Sequence, residues 1–239
     1  EYWKIEADFW KNNLPPFKAV LEKIEGKKVE IPDEKSAIAI VENIQNTEAI
    51  LSEIKRSNRN VEPLPPFITS TLQQEASKLL GFTAQKTMSI AQVLYEGIDL
   101  GGESTGLITY MRTDSTRIAE EAISKVQNLI KERFGADLVN PKVRVFKNKQ
   151  SAQDAHEAIR PTDPFRTPES VAQYLTKEQL KLYTLIWQRF IASQMIPVKL
   201  LSTSVKINAG KAEFVSSGAQ IVEEGFLKAY PHYNIPLGE

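Results

Sequence analysis

Pro63-Leu-Pro-Pro66 divides this chain into two kinds of sequence. Proline lacks an amide proton and holds φ near −65°, so neither a helix interior nor a central strand accommodates such a run. The run forms a stiff extended connector, and the hydrophobic period changes across it. Before it, apolar residues mostly recur every second position. After it they recur every third or fourth, until Met195-Ile-Pro197 turns the pattern back to strands. The order is β-rich, helical, β-rich. The economical architecture is α+β and multi-domain: a discontinuous β-rich domain over residues 1–62 and 197–239, with a mainly helical domain inserted at residues 63–196.

Within the first part, Trp3, Ile5, Ala7 and Phe9 alternate with Lys4, Glu6 and Asp8, so a strand is expected over residues 2–10. Lys18–Ile24 reads as a second strand, with Gly26-Lys27 turning into Lys28–Ile31. Asp33 is expected to cap a helix to about Gln45, with Ala37, Ile40, Val41 and Ile44 on one face. Residues 49–61 alternate again, and their polar tail, Lys55 to Asn60, reads as a solvated edge rather than a DNA site.

Beyond the prolines, Thr69 or Ser70 is expected to cap a helix carrying Leu72, Ala76, Leu79 and Leu80, which Gly81 ends. Thr83 caps the next, to about Glu96, with Met88, Ala91, Leu94 and Tyr95 as its apolar face. The pair fits a helix-turn-helix and a plain helical hairpin equally well. Residues 97–105 form a glycine-rich loop without the lysine or spacing of a P-loop. Ser115 with Thr116 is expected to start a long helix to about Phe134, its stripe being Ile118, Ala122, Ile123, Val126, Leu129 and Ile130. Residues 140–150, with Lys142, Arg144, Lys147 and Lys149, read as a basic solvated loop. Ser151-Ala-Gln-Asp154 resembles a capping box whose short helix must stop near Pro161, which puts His156 and Arg160 on one face. Helices are expected over residues 168–175 and 176–194, then strands over 201–208, 211–216 and 219–230.

Composition matters chiefly for partners. Thirty basic and thirty acidic side chains leave no net charge, which argues against a surface that coats duplex DNA broadly but permits a local electropositive groove. The chain has no cysteine, which excludes disulfides and thiolate metal sites and suits a cytoplasmic protein. No apolar run is long enough to span a bilayer, and the first residues carry no signal-peptide pattern. The chain begins without an initiator methionine and directly in a strand pattern, as an excised piece would.

Chemistry concentrates at Gly106–Ser115, Gly-Leu-Ile-Thr-Tyr-Met-Arg-Thr-Asp-Ser. Leu107, Ile108 and Tyr110 favour an extended backbone, so Tyr110 and Arg112 are expected at a strand end, facing the same side. A phenol is a usable nucleophile when a neighbouring cation or base favours its phenolate, and a guanidinium is a fork for phosphate. On spacing alone, an ordinary strand tyrosine with a buried ring and a wet hydroxyl fits as well.

The octet Ile-Thr-Tyr-Met-Arg-Thr-Asp-Ser resembles the active-site segment of type IA DNA topoisomerases, most closely the bacterial topoisomerase I branch, which Met111 favours. The resemblance continues in Pro65-Pro-Phe-Ile-Thr-Ser-Thr-Leu-Gln-Gln74 and Ala155-His-Glu-Ala-Ile-Arg-Pro161. It implies a fold in which a helical domain, similar to catabolite-activator-type DNA-binding folds, carries the tyrosine at the tip of a β-rich arch. It implies Tyr110 as the nucleophile that joins a DNA 5′-phosphate, and Arg112 as the cation on that phosphate. His156, Arg160, Thr109 and Asp114 would line the DNA, with Glu157 and Asp154 as further candidates. The implied function is relaxation of negatively supercoiled DNA by single-strand cleavage, strand passage and religation, by a monomer near the nucleoid. The family's Mg²⁺ is held by a glutamate and an Asp-x-Asp cluster. This chain has no Asp-x-Asp, so no metal ligand is assigned and the chain alone is expected to be inactive in relaxation. The readings of other classes are a non-catalytic DNA-binding module and a hinge.

Overall fold

The computed structural model describes residues 3–11, 15–45, 47–102, 104–146 and 156–237. They are α+β. One compact unit comprises residues 1–60, 199–223 and 234–239, and a second comprises residues 61–198 and 224–233.

The first unit is an antiparallel sheet with one helix. Its strands are β1 (Glu6–Phe9), β2 (Phe17–Ile24), β3 (Lys27–Lys28) and β4 (Ala49–Val61), then β7 (Val198–Ala209) and β8 (Ala212–Glu223) after the second unit's elements. The order is β1-β2-β8-β7-β4, with β3 on β2. The β7–β8 hairpin sets the register, Val205 facing Ser216 and Ala209 facing Ala212 across the turn at Gly210. Helix α1 (Glu34–Ile44) begins as expected at Asp33, whose carboxylate accepts from the Ser36 N–H at 2.7 Å. That bond holds the Asp33 carboxyl below the usual carboxylate range. Ala37 packs into a core of Ile5, Ala19, Leu21, Ile207, Ala212 and Phe214, with Ile40 and Ile44 at its edge. Val41, expected on that face, is exposed. The core occupies one end of the sheet, and β4 is exposed along nearly its whole length.

Several expectations shift here. β1 is only four residues long and Tyr2 lies outside the described residues. The two strands expected on either side of Ser217-Gly218 are one, β8, and it ends at Glu223. Residues 225–228 then make a 3-10 turn in the second unit, where the Phe226 N–H reaches the Ile196 carbonyl at 3.0 Å. Phe226 and Tyr230 are buried among helices, and that burial overrides their strand propensity.

The second unit packs α2 (Thr69–Leu80), α3 (Ala84–Glu96) and α4 (Glu120–Arg133) with α5 (Pro168–Val171) and α6 (Lys177–Ser193). Helix α6 is buried on most sides through Leu182, Tyr183, Leu185, Ile186 and Phe190. Each such side chain contributes roughly 1.5–3 kcal/mol by leaving water. Its start follows the sequence: Thr176 and Gln179 cap each other reciprocally. Thr83 caps α3 by accepting from the Lys86 N–H. Gly81 ends α2 at φ +67°, a conformation costly for other residues.

Helix α2 has neither Thr69 nor Ser70 as its cap. The capping position is Ile68, whose N–H is satisfied by the Thr71 hydroxyl at 3.0 Å. Helix α3 buries Thr87, Ile90, Ala91 and Leu94 and leaves Tyr95 40% exposed, a rotation of its expected face. The loop over residues 97–105 contains a minimal hairpin, β5 (Ile98–Asp99) with β6 (Ser104–Thr105), turned by the Asp99 carboxylate accepting from the Gly101 and Gly102 N–H groups. Helix α4 starts five residues late. The Thr113 hydroxyl accepts from the Ser115 N–H and the Ser115 hydroxyl from the Arg117 N–H, local bonds that replace a helical turn. Arg144 is not solvated. Its guanidinium donates to the Ser193 and Met195 carbonyls and pairs with Glu62 at 2.7 Å. Lys147, Lys149 and the Ser151–Asp154 capping box lie outside the described residues.

Candidate active site

Three stretches far apart in sequence meet in the second unit. Phe67 bridges Ile159, and Ile108 bridges Pro161. The second bridge consists of the Thr109 N–H donating to the Arg160 carbonyl at 2.9 Å and the Thr162 N–H donating to the Leu107 carbonyl at 3.0 Å. It does not lengthen into a ladder, because the Arg160 N–H that the next rung needs bonds instead to the Thr109 hydroxyl at 3.0 Å. Tyr110 therefore lies in irregular chain rather than at a strand end, and the backbone bends at Met111-Arg112. The strand rule that put Tyr110 and Arg112 on one side does not apply to that bend.

The segment is nevertheless pinned on both sides of Tyr110. On one side, the Thr109 hydroxyl donates to the Ala158 carbonyl at 2.7 Å and accepts from the Arg160 N–H at 3.0 Å. On the other, the Thr69 hydroxyl donates to the Met111 carbonyl at 2.8 Å and accepts from the Thr113 N–H at 2.9 Å. Leu107, Ile108 and Met111 are buried beneath. The Tyr110 side chain projects from this anchored strip and is 40% exposed. Its ring meets Tyr95 edge-to-face, with centroids 5.4 Å apart and planes at 64°. On it also lies His156, at 6.0 Å and 47°.

The other expected residues distribute unevenly. Arg112 is exposed and has no hydrogen-bond or ion-pair partner among the described residues; Asp114 is the same. His156, Glu157 and Arg160 sit on extended chain rather than a helix, because the Ala158 N–H bonds to the Arg117 carbonyl and the Ile159 N–H to the Phe67 carbonyl. Arg160 turns inward. Its Nε and Nη2 donate to Glu157 Oε2 at 2.9 and 2.5 Å, and its Nη1 to the Pro161 carbonyl at 2.9 Å. Both side chains of that pair are largely buried, so Arg160 is a held cation rather than a free arm. Asp154 lies outside the described residues.

Sequence reasoning missed Thr69 and Tyr95. The signal for Thr69 was its place in the Pro65–Gln74 block, and for Tyr95 an aromatic in the last turn of a helix shortly before the tyrosine segment.

Chemically, the arrangement offers an accessible phenol on a rigid base beside an imidazole, with an unpaired guanidinium two residues away. The sequence profile of the DNA topoisomerase family matches residues 1–236. The chain belongs to the type IA DNA topoisomerase family. It is 45% identical to DNA topoisomerase 1 of Treponema pallidum over 95% of its length, covering 31% of that protein. It is 46% identical to DNA topoisomerase 1 of Xylella fastidiosa (strain Temecula1) over 96% of its length, covering 29%. Its fold matches full-length topoisomerase I from Thermotoga maritima at a TM-score of 0.75 and 38% identity, over 93% of this chain and 35% of that one. The chain thus spans about three tenths of the length of these topoisomerases.

Proposed function

We propose that this chain supplies the nucleophile and the arch of a type IA topoisomerase, and that Tyr110 cleaves one DNA strand through a 5′-phosphotyrosine. The observation that carries this reading is Tyr110 itself, an exposed phenol on backbone tied at Thr109 and Met111. The Tyr110 Oη attacks phosphorus and the P–O3′ bond breaks. The electron pair leaves on O3′, which gains a proton as the phenol gives one up. Resealing is the reverse, so no external energy source is needed. In between, a strand passes through the gap, and negatively supercoiled DNA relaxes. The β-rich unit is the arch, and the helical unit inserted in it is the tyrosine-bearing domain.

Arg112, exposed two residues after the phenol, neutralises the scissile phosphate as charge grows on it. His156, against the Tyr110 ring, contacts phosphate. Thr109 sets the strip's register, Asp114 faces the DNA beside Arg112, and Arg160 fixes the shape of the surface through Glu157. Among the described residues no group of three or more His, Cys, Asp and Glu side chains is placed to hold a metal ion. In this reading Mg²⁺ is held by other parts of the full-length enzyme, and the chain alone cleaves and relaxes no DNA. The partners are single-stranded DNA and the remaining parts of the same polypeptide, acting as a monomer at the bacterial nucleoid.

The test builds the chain into the Xylella fastidiosa protein in place of the matching stretch. It then adds Mg²⁺ and a single-stranded oligonucleotide labelled at its 3′ end, and denatures. Label on the protein, absent in Tyr110→Phe, is the expected result. A folded protein that binds the oligonucleotide but traps no label would leave a DNA-binding module in place of an enzyme.

A further inference from the structure

We infer that Tyr95 is a positioning residue for Tyr110, its ring fixing the direction in which the phenol points; this rests on the reading of Tyr110 as nucleophile. The backbone bonds at Thr109 and Met111 fix where the Tyr110 Cα sits but leave its two side-chain torsions free. A ring 40% exposed is not confined by core packing. What confines it is an aromatic neighbour on an element that is itself immobile relative to the strip.

Tyr95 meets both conditions. Its edge-to-face contact with Tyr110 is the arrangement that the ring quadrupole favours. Its own backbone is joined to the tyrosine segment: the Leu107 N–H donates to the Leu94 carbonyl at 2.7 Å, and Gly106 lies so close that an added Cβ would be 2.7 Å from the Tyr95 carbonyl oxygen. The end of α3 and the strip therefore move together, and the Tyr95 ring is a fixed wall. Tyr95 is itself 40% exposed, so its removal takes little buried surface from the core. No hydrogen bond to its hydroxyl is present among the described residues, which assigns the effect to the ring.

The experiment compares Tyr95→Leu and Tyr95→Phe with Tyr110→Phe in the chimaeric full-length protein, measuring single-turnover cleavage of the 3′-labelled oligonucleotide. Tyr95→Leu is expected to slow cleavage at saturating DNA roughly tenfold, the kinetic equivalent of losing an aromatic pair. Its half-saturating DNA concentration and melting temperature stay unchanged, and Tyr95→Phe restores the rate. Wild-type speed in Tyr95→Leu overturns the inference. So does a slow variant that also melts earlier or binds DNA less well, since that marks a merely structural residue. Nuclear Overhauser contacts between the two rings in the chain itself are expected without any DNA, and their absence also overturns it. An adduct that persists in Tyr110→Phe would overturn the nucleophile reading and this inference with it, whereas a silent Tyr95→Leu beside an inactive Tyr110→Phe removes the inference alone.

Discussion

Arg112 and Arg160 both belong to the candidate site, yet their surroundings are opposite. Arg160 has three of its nitrogens bonded to Glu157 and a carbonyl, and its charge is neutralised within the fold. Arg112 is exposed and has no partner among the described residues, so its charge remains available to an incoming phosphate. An exposed group with neither a hydrogen bond nor an ion pair contributes little to stability. Arg112→Ala is therefore expected to leave the melting temperature unchanged while slowing cleavage in the chimaera about 10²–10³-fold, the usual effect of losing one well-placed donor. Thermal unfolding beside single-turnover cleavage checks both halves. Thr109 is the contrary case: one hydroxyl bonded twice within the protein, tying the tyrosine segment to residues 158 and 160.

At the scale of elements, the candidate site depends on the end of α3 lying against residues 106–107. Gly106 permits that approach, since any Cβ there runs into backbone rather than a flexible side chain. Gly106→Ala must separate α3 from the strip by several tenths of an ångström and stretch the Leu107–Leu94 bond. The expected outcome is a loss of about 1–3 kcal/mol of stability, seen as a lower denaturation midpoint, together with slower cleavage, because the ring contact loosens with the backbone. Denaturant titration and the cleavage assay report the two effects separately. Residues 113–119 make the same point about local order. Side-chain bonds from Thr113 and Ser115 hold off the helix until Glu120, and the freed Arg117 carbonyl is where Ala158 docks.

For the molecule as a whole, the two units differ in what holds them. The sheet unit has a core at one end and bare strands beyond it. The helical unit buries Tyr183, whose hydroxyl donates to the Arg166 carbonyl at 2.6 Å, and Tyr230, whose hydroxyl contacts Glu75 at 3.2 Å. Burial pushes the Tyr183 phenol well above its ordinary value, and burial first of all pushes Tyr230 up to about 12. Both folded-state values lie above the unfolded value near 10, so this contribution is complete below about pH 10 and is lost as pH rises beyond it. The melting temperature is expected to fall steeply between about pH 10 and 12. Tyr183→Phe, less stable at neutral pH by about 1 kcal/mol for its hydrogen bond, is expected to show a shallower alkaline decline by calorimetry.

The amino-acid sequence by itself determined what depends on near neighbours in the chain. Asp33, Thr83 and Thr176 cap their helices because a cap needs only an oxygen and an amide two or three residues on. Gly81 ends α2 for the same kind of reason, and the alternation over residues 49–61 became β4. The three blocks around Tyr110 were also legible, as a family resemblance that the profile match bears out. Only the tertiary structure decided the rest. A strand requires a partner with amides to offer, and the Arg160 amide is taken by the Thr109 hydroxyl, so Tyr110 lies beside a single bridge. The buried face of α3 was chosen by its neighbours, which left Tyr95 outside and against Tyr110. Glu157 lies only three residues before Arg160, but their pair is buried in extended chain because the Ala158 and Ile159 amides bond to Arg117 and Phe67, partners far off in the sequence.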